Sequence, residues 1–210
     1  PRDRASNAAA FRDAQRRRAQ RRAAMLAELQ RTVAALEEAS EQYRFVSAEQ
    51  TFGLSRSQWP ALAVEDPQGD RFFLYGTIDR VDQAANGALR IIDYKTGSVS
   101  RLTPTAVARG DDLQIALYSL AAERALQLGS VADGFYWSVR QAAPSPFTLA
   151  GYQRGEQSGP GAAQADAQAF AWQAIHRARG GAFTPEAPSE ACPDWCPAAA
   201  FCWQYRRRLW

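Results

Sequence analysis

The sequence predicts a mixed α/β fold, in which a β-sheet is flanked by helices, on the basis of three observations. Residues 6–42 carry apolar positions at helical spacing over an unusual length. Residues 71–94 contain two strand-like runs on either side of Asn86-Gly87, a dipeptide typical of hairpin turns. Helix-like and strand-like segments then alternate as far as residue 179. Such an order is typical of a mixed sheet with helices packed on it.

The first helix has one apolar side and an unfavourable distribution of charge. Arg residues are concentrated at its start and Glu residues at its end, which is the wrong order for the helix dipole. We therefore expect this helix to depend on packing for its stability. The apolar stripe that would supply the packing consists of Met25, Leu26, Leu29, Val33 and Leu36.

The remaining elements follow from periodicity and from the positions of Gly and Pro. We divide the chain into an N-terminal helical segment (1–42, basic at its start), a core (43–180) and a Cys-bearing C-terminal tail packed on the core (181–210). Within the core the pattern predicts a strand at 43–52, a loop at 53–70, hairpin strands at 71–82 and 89–94, a helix at 111–128, a strand at 131–140, a loop region with one short strand at 144–161, and a helix at 162–179.

The composition is that of an ordinary globular protein, with 46% hydrophobic and 22% charged residues. No stretch reaches the ~18 uninterrupted apolar residues of a membrane span, so we expect no membrane partner and a cytoplasmic location. The first residue is Pro and no signal peptide is recognisable, so the chain resembles a piece of a longer protein.

Basic residues are unevenly distributed in type and in position. Residues 1–22 hold eight Arg and two Asp, a local charge of +6 within a total of +3, which is compatible with a polyanionic partner. Of the 25 basic residues only Lys95 is a lysine. Arg cannot easily replace a compact ammonium beside a metal-bound water. The single lysine therefore indicates a candidate functional position.

The register of the hairpin decides which acidic residues lie together. A two-residue turn at Asn86-Gly87 would put Asp79 and Asp93 on opposite faces of the sheet. A three-residue loop, Ala85-Asn86-Gly87 with Gly87 in the left-handed region, would place Asp79 directly across from Asp93. We predict the second register, in which Asp79, Asp93 and Lys95 share one face with cross-strand Cβ separations of about 5 Å.

This set of side chains suits metal-assisted phosphodiester chemistry. Asp79 and Asp93, with the backbone carbonyl of Tyr94, offer the oxygen ligands that Mg²⁺ prefers. Lys95 would orient or deprotonate the attacking water and stabilise the transition state. Gln114 and Tyr118 are four residues apart, and therefore share one face of the following helix. The competing interpretation is an exposed ion pair of little energetic value beside ordinary helix-surface residues.

Three segments together resemble a known family. They are Gly76-Thr77-Ile78-Asp79-Arg80-Val81-Asp82, Ile91-Ile92-Asp93-Tyr94-Lys95-Thr96-Gly97 and Leu113-Gln114-Ile115-Ala116-Leu117-Tyr118. This set resembles the PD-(D/E)xK nuclease superfamily, in particular its RecB-type exonuclease branch of helicase–nuclease and DNA-repair proteins.

The resemblance implies a restriction-endonuclease-like core and assigns a role to each of these polar residues. Asp79 and Asp93 are implied metal ligands, Lys95 the catalytic lysine, and Gln114 with Tyr118 the QxxxY motif. Glu49 resembles an acidic residue of the preceding strand. The branch often has a metal-binding His upstream, whereas residues 1–42 contain none, and we interpret His176 as a surface or packing residue.

The three cysteines lie within the last twenty residues, as Cys192, Cys196 and Cys202. Their spacing resembles that of iron–sulfur members of the branch. A [4Fe–4S] cluster requires four thiolates, so the fourth ligand would lie upstream of this chain. The alternative is three reduced cysteines in a small apolar tail.

The function predicted from the sequence is a Mg²⁺- or Mn²⁺-dependent DNA nuclease, an exonuclease, acting in repair or recombination with a helicase domain or subunit. The basic start of the chain and the run Arg206, Arg207 and Arg208 would contact the DNA backbone. Two alternatives stay open: a catalytically silent DNA-binding or scaffold module of a helicase–nuclease complex, and an iron–sulfur structural domain.

Overall fold

The computed structural model describes residues 2–183 and residue 196, with side chains described for residues 10–183 and 196. The chain divides into two compact units, Pro1–Phe170 and Ala171–Trp210. The predicted mixed α/β fold with a long N-terminal helix is confirmed. The elements are α1 (Arg2–Glu38), β1 (Tyr43–Phe52), β2 (Leu62–Glu65), β3 (Arg71–Leu74), β4 (Gly76–Ala84), β5 (Leu89–Lys95), α2 (Pro104–Ala108), α3 (Gln114–Arg124), β6 (Val131–Ser138), β7 (Ala143–Thr148), β8 (Gln153–Arg154), β9 (Gln157–Ser158) and α4 (Gly159–Arg179).

The central sheet has five strands in the order β1-β4-β5-β6-β7. The pairs β1/β4, β4/β5 and β6/β7 are antiparallel, whereas β5 and β6 are parallel. A parallel pair requires a crossover connection, and the segment that contains α2 and α3 supplies it. Two small hairpins, β2-β3 and β8-β9, lie outside this sheet.

The β4–β5 hairpin has the predicted three-residue connection. The Ala84 N–H donates to the Ala88 carbonyl over 2.8 Å, which closes the loop 85–87. Gly87 has φ 86°, in the left-handed region that favours glycine. Arg80 pairs with Ile92 in the resulting ladder. The predicted register is therefore confirmed.

The two faces of the sheet are covered by different helices. On one face Leu36 of α1 packs with Ile92 of β5 and with Phe135 and Trp137 of β6. On the other face α3 lies so close to β6 that a Cβ on Gly134 would stand 3.2 Å from the Ile115 side chain. Successive residues of a strand point to opposite faces, so β5 presents Ile92 towards α1 and its neighbours Ile91 and Asp93 towards α3.

An ion cluster fastens the end of α1 to the sheet. Asp82, fully buried, accepts from the Arg80 side chain over 2.6 Å and from Arg90 over 2.7 Å. The same Arg90 guanidinium donates to the Ala39 carbonyl over 3.2 Å and to the Ser40 hydroxyl over 2.5 Å. Buried charges are tolerated when they are paired and hydrogen-bonded in this way.

Several predicted boundaries were wrong. The segment 53–70 contains the strand β2, whose four residues between Pro60 and Pro67 are too few to produce a clear pattern. Helix α3 ends at Arg124 rather than 128, because Gln127 takes φ 52° and turns the chain before Gly129. Helix α2 was missed, although its Thr103 cap followed by Pro is a recognised start signal.

The apolar stripe of α1 is only partly buried. Leu36 is 2% exposed, whereas Met25, Leu26, Leu29 and Val33 are each about half exposed. The expectation that packing stabilises this helix therefore applies, within the described residues, mainly to its last turns. No helix of the described residues is both long enough and apolar enough to cross a membrane.

In the unit Ala171–Trp210, the Trp172 and His176 rings stack with centroids 5.1 Å apart, and the Arg179 guanidinium lies 5.8 Å from the Trp172 ring centroid. The division of the chain into 1–42, 43–180 and 181–210 stays a prediction.

The ion cluster leads to a test of stability. Asp82→Asn leaves Arg90 buried without its carboxylate, so we expect the free energy of unfolding to fall by about 3 to 5 kcal/mol. Glu65→Gln breaks the exposed Glu65–Arg71 pair and should cost less than about 1 kcal/mol. Urea titrations compare the two variants, and similar losses would contradict the anchoring role of the cluster.

Candidate active site

The hairpin register brings Asp79 to the position beside Asp93. The ladder pairs Arg80 with Ile92, and one residue further along it Asp79 Oδ2 accepts a hydrogen bond from the Tyr94 N–H over 2.9 Å. Asp79 is half-buried and Asp93 is 3% exposed. The two carboxylates therefore lie close together at the end of β5, as the sequence predicted.

Lys95 and Gln114 complete a closed set of contacts with Asp93. The Lys95 ammonium lies 2.7 Å from Asp93 Oδ2. It also donates to Gln114 Oε1 over 2.8 Å, while Gln114 Nε2 donates to Asp93 Oδ1 over 2.8 Å. The amide of Gln114 thus fixes both charged groups, because its oxygen faces the cation and its nitrogen faces the anion.

Burial dominates the electrostatics of Asp93. Desolvation raises the pKa of its carboxyl above the ordinary value, the nearby Lys95 ammonium opposes that rise, and the negative charges of Asp79 and Asp112 add to it. The site therefore holds more carboxylate charge than its own cation offsets. An additional cation beside these carboxylates would be favoured.

The carboxylates fit a hard divalent metal in donor type. Asp93 Oδ2 is buried and, among the described residues, accepts no hydrogen bond of good geometry, although it keeps the ionic contact with Lys95. In the same part of the chain no group of three or more His, Cys, Asp or Glu side chains is arranged to hold a metal. A metal here would thus rely on the two Asp side chains, a backbone carbonyl and water, a set that suffices for Mg²⁺.

Tyr118 lies one turn after Gln114 on α3 and packs against the start of β4. A Cβ on Gly76 would stand 3.1 Å from the Tyr118 hydroxyl, and the Tyr118 ring makes an edge contact with Phe52 at 6.1 Å. Gly76 is needed because a side chain there would displace the phenol. The structure thus brings Gln114 to Lys95 and Asp93, and Tyr118 to the beginning of the strand that carries Asp79.

Other predicted site residues lie apart from this set or outside the described residues. Glu49 is exposed on β1, with φ 53°, between the pairs Ala48–Arg80 and Gln50–Ile78. It therefore stands opposite Asp79 in register, and its role as a ligand stays a prediction. Cys196 is a free, half-buried cysteine. The predictions for Cys192, Cys202, Arg206, Arg207 and Arg208 lie outside the described residues.

Two residues near the site were not foreseen from the sequence. Asp112 and Tyr136 are joined by a hydrogen bond of 2.6 Å between the Tyr136 hydroxyl and Asp112 Oδ1. Asp112 stands two residues before Gln114, where an acid is a common helix-start signal. Tyr136 has a buried hydroxyl, which requires a partner. Both signals are present in the sequence, but neither identifies the other residue.

The fold and the site define a class: an α/β nuclease-type domain whose acidic residues and lysine project from one face of a β-hairpin. Comparison with known proteins gives the family. The family model for the PD-(D/E)XK nuclease superfamily matches residues 2–203, and the chain belongs to that superfamily.

Two curated relatives carry the same name, which describes each as the B-type subunit of an ATP-dependent helicase/deoxyribonuclease. The protein from Moorella thermoacetica is 38% identical over 122 residues, which are 53% of this chain and 10% of the relative. The protein from Carboxydothermus hydrogenoformans is 41% identical over 68 residues, 31% of this chain and 6% of the relative. The matched regions thus span a tenth or less of the length of these relatives. The predicted resemblance to RecB-type helicase–nuclease proteins is confirmed.

The raised pKa of Asp93 leads to a prediction about stability without metal. A carboxyl with a raised pKa in the folded chain favours folding below its ordinary pKa of 3.8, and this contribution is lost as the pH rises through the raised value. Asp93→Asn removes that loss, so in EDTA we expect the variant to be more stable than the unaltered chain at neutral pH. The gain should shrink as the pH falls towards 4, and urea titrations at both pH values measure it. A variant less stable than the unaltered chain at neutral pH would contradict this account.

Proposed function

We propose that this chain is the metal-dependent deoxyribonuclease domain of a helicase–nuclease protein, and that it degrades DNA as an exonuclease in repair or recombination. The observation that carries the proposal is the Lys95 ammonium, held by Asp93 and Gln114 on the face of the hairpin that also carries Asp79. The superfamily match and the printed name of the two relatives support the same activity.

Asp79, Asp93 and the carbonyl of Tyr94 are the proposed metal ligands. Bound Mg²⁺ or Mn²⁺ would supply positive charge next to the scissile phosphate and a lowered water pKa. Asp93 is held by Gln114 and Lys95, and Asp79 by the Tyr94 amide, so both carboxylates are oriented before any substrate arrives. Such preorganisation avoids a reorganisation cost during the reaction.

Lys95 is the proposed catalytic residue. Its side chain is one-third exposed, so the ammonium reaches both the buried Asp93 and the solvent from which DNA approaches. A compact ammonium can donate at once to Gln114, to an attacking water and to a phosphate oxygen, because it has three donors. The ammonium would orient the water and stabilise the charge that develops on the phosphate.

The basic start of α1 is the proposed contact with the DNA backbone, together with the run Arg206, Arg207 and Arg208. Phosphate contacts of this kind are independent of sequence and weaken as the salt concentration rises, because counterion release then contributes less. The proposed partners are therefore DNA and a helicase domain or subunit. A [4Fe–4S] cluster that uses Cys192, Cys196 and Cys202 with a ligand outside this chain stays a prediction.

The first test is cleavage of DNA in Mg²⁺ or Mn²⁺ by the unaltered chain, Lys95→Ala and Lys95→Arg. We expect Lys95→Ala to lower the rate at least about 100-fold, as loss of an electrostatic donor does. Lys95→Arg should not restore the rate, because a planar fork cannot replace the compact ammonium between Asp93 and Gln114. Asp79→Ala should also abolish cleavage.

The matched control is Arg154→Ala, which removes a half-exposed cation paired with Asp166 away from the site and should leave the rate unchanged. Circular dichroism should show every variant folded. Metal-dependent cleavage that survives in Lys95→Ala would contradict the assignment of Lys95. Absence of cleavage by the unaltered chain would favour a silent DNA-binding module.

A linear and a circular form of the same DNA distinguish an exonuclease from an endonuclease. An exonuclease requires an end, so we expect degradation of the linear form and none of the covalently closed circle. Nicking of the circle at a comparable rate would replace the exonuclease proposal with an endonuclease.

A further inference from the structure

Asp112 and Tyr136 form a buried pair next to the site. The Tyr136 hydroxyl donates to Asp112 Oδ1 over 2.6 Å, and Tyr136 is 1% exposed. Burial, then the negative charge of Asp112, raises the pKa of Tyr136 far above its ordinary value. The phenol therefore stays protonated and keeps its proton available for this bond.

The pair occupies the place of an N-cap at the start of α3. The helix begins after Leu113, whose side chain provides no capping hydrogen bond. The first free amides are bonded from outside: the Gln114 N–H donates to Asp112 Oδ1 over 3.2 Å, and the Ile115 N–H donates to the Tyr136 hydroxyl over 3.1 Å. An uncapped helix start leaves such amides unsatisfied and free to fray. Here Tyr136, from strand β6, fixes the helix start to the sheet.

The residue fixed by this cap is the one that holds the catalytic groups. Gln114 is the first residue of α3, and its amide contacts both Lys95 and Asp93. The Tyr136 ring also lies beneath the lysine, with Lys95 Nζ 5.1 Å from the ring centroid. Tyr136 thus meets the site through its hydroxyl, by way of the backbone of α3, and through the face of its ring.

We propose that Asp112 and Tyr136 are positioning residues that hold Gln114 and Lys95 in the orientation needed for phosphodiester cleavage. This inference rests on the proposed nuclease function. It assigns to Asp112 a role through Tyr136 and the Gln114 backbone. It also explains why the hydroxyl of Tyr136, rather than a side chain of α3 itself, caps the helix.

The chain contains a matched control for this pair. Tyr152 is also fully buried, and its hydroxyl donates to Asp166 Oδ2 over 2.6 Å. Tyr152→Phe therefore removes the same kind of bond as Tyr136→Phe but leaves the contacts of Gln114 and Lys95 untouched. A loss of activity confined to the Tyr136 variant is not explained by a buried hydroxyl as such.

The kinetic test compares Tyr136→Phe and Asp112→Asn with Tyr152→Phe on linear DNA. We expect kcat to fall about 10- to 100-fold in the first two variants at nearly unchanged KM, because misplaced groups slow the reaction rather than binding. Tyr152→Phe should retain the kcat of the unaltered chain. Because the pair acts through Gln114, adding Tyr136→Phe to Gln114→Ala should cause little further loss.

A second readout does not depend on cleavage. Lys95 is the only lysine of the chain, so lysine labelled with ¹³C at Cε gives a single side-chain signal in NMR spectra. The Tyr136 ring should shift this signal away from the position of free lysine. In Tyr136→Phe and Asp112→Asn the signal should move towards that position or broaden, and in Tyr152→Phe it should stay unchanged.

The outcomes separate this inference from the nuclease proposal. If the unaltered chain cleaves DNA and Lys95→Ala does not, while Tyr136→Phe and Asp112→Asn keep full kcat and an unchanged lysine signal, the positioning role is overturned. Losses that multiply with that of Gln114→Ala would overturn it as well. If the unaltered chain does not cleave, the nuclease proposal fails, and a lysine signal that moves only in the Tyr136 and Asp112 variants still supports the positioning of Lys95.

Discussion

The connection between β4 and β5 constrains everything else at the site. Side chains alternate across a strand, so a shift of one residue in pairing would move Asp79 to the opposite face from Asp93. The loop 85–87 prevents that shift, because Gly87 adopts φ 86° and the Ala84 amide closes on the Ala88 carbonyl. A local turn preference thus determines whether two carboxylates at the far ends of the hairpin, one on each strand, can share a cation.

The two faces of this hairpin have different roles although they carry similar residues. Towards α1, Asp82 is neutralised by two arginines, and Arg90 extends the cluster to the backbone at the end of the helix. Towards α3, Asp93 has one lysine and one amide and lies among further carboxylates, so burial and like charge raise its pKa. The first arrangement is electrostatically complete and stabilises the fold. The second is short of positive charge, which is the property that a metal-dependent site requires.

Most of this fold and much of the site could be predicted from the sequence. The hairpin, α3, β6 and the common face of Asp79, Asp93 and Lys95 followed from periodicity and turn chemistry, because those rules act over a few residues. The strand β2 and the end of α3 at Arg124 did not, because four residues give no period and Gln127 left the helix without a glycine. The bond between Asp112 and Tyr136 joins residues 24 positions apart, and no local pattern predicts such a pair.

The central claim is that Asp79 and Asp93 form the metal site of this domain, and anomalous diffraction from crystals soaked in Mn²⁺ tests it most directly. The account predicts an anomalous peak in contact with carboxylate oxygens of both Asp79 and Asp93, and loss of that peak in crystals of Asp79→Ala. Manganese bound only elsewhere on the chain, with these two carboxylates unoccupied at saturating metal, would contradict it.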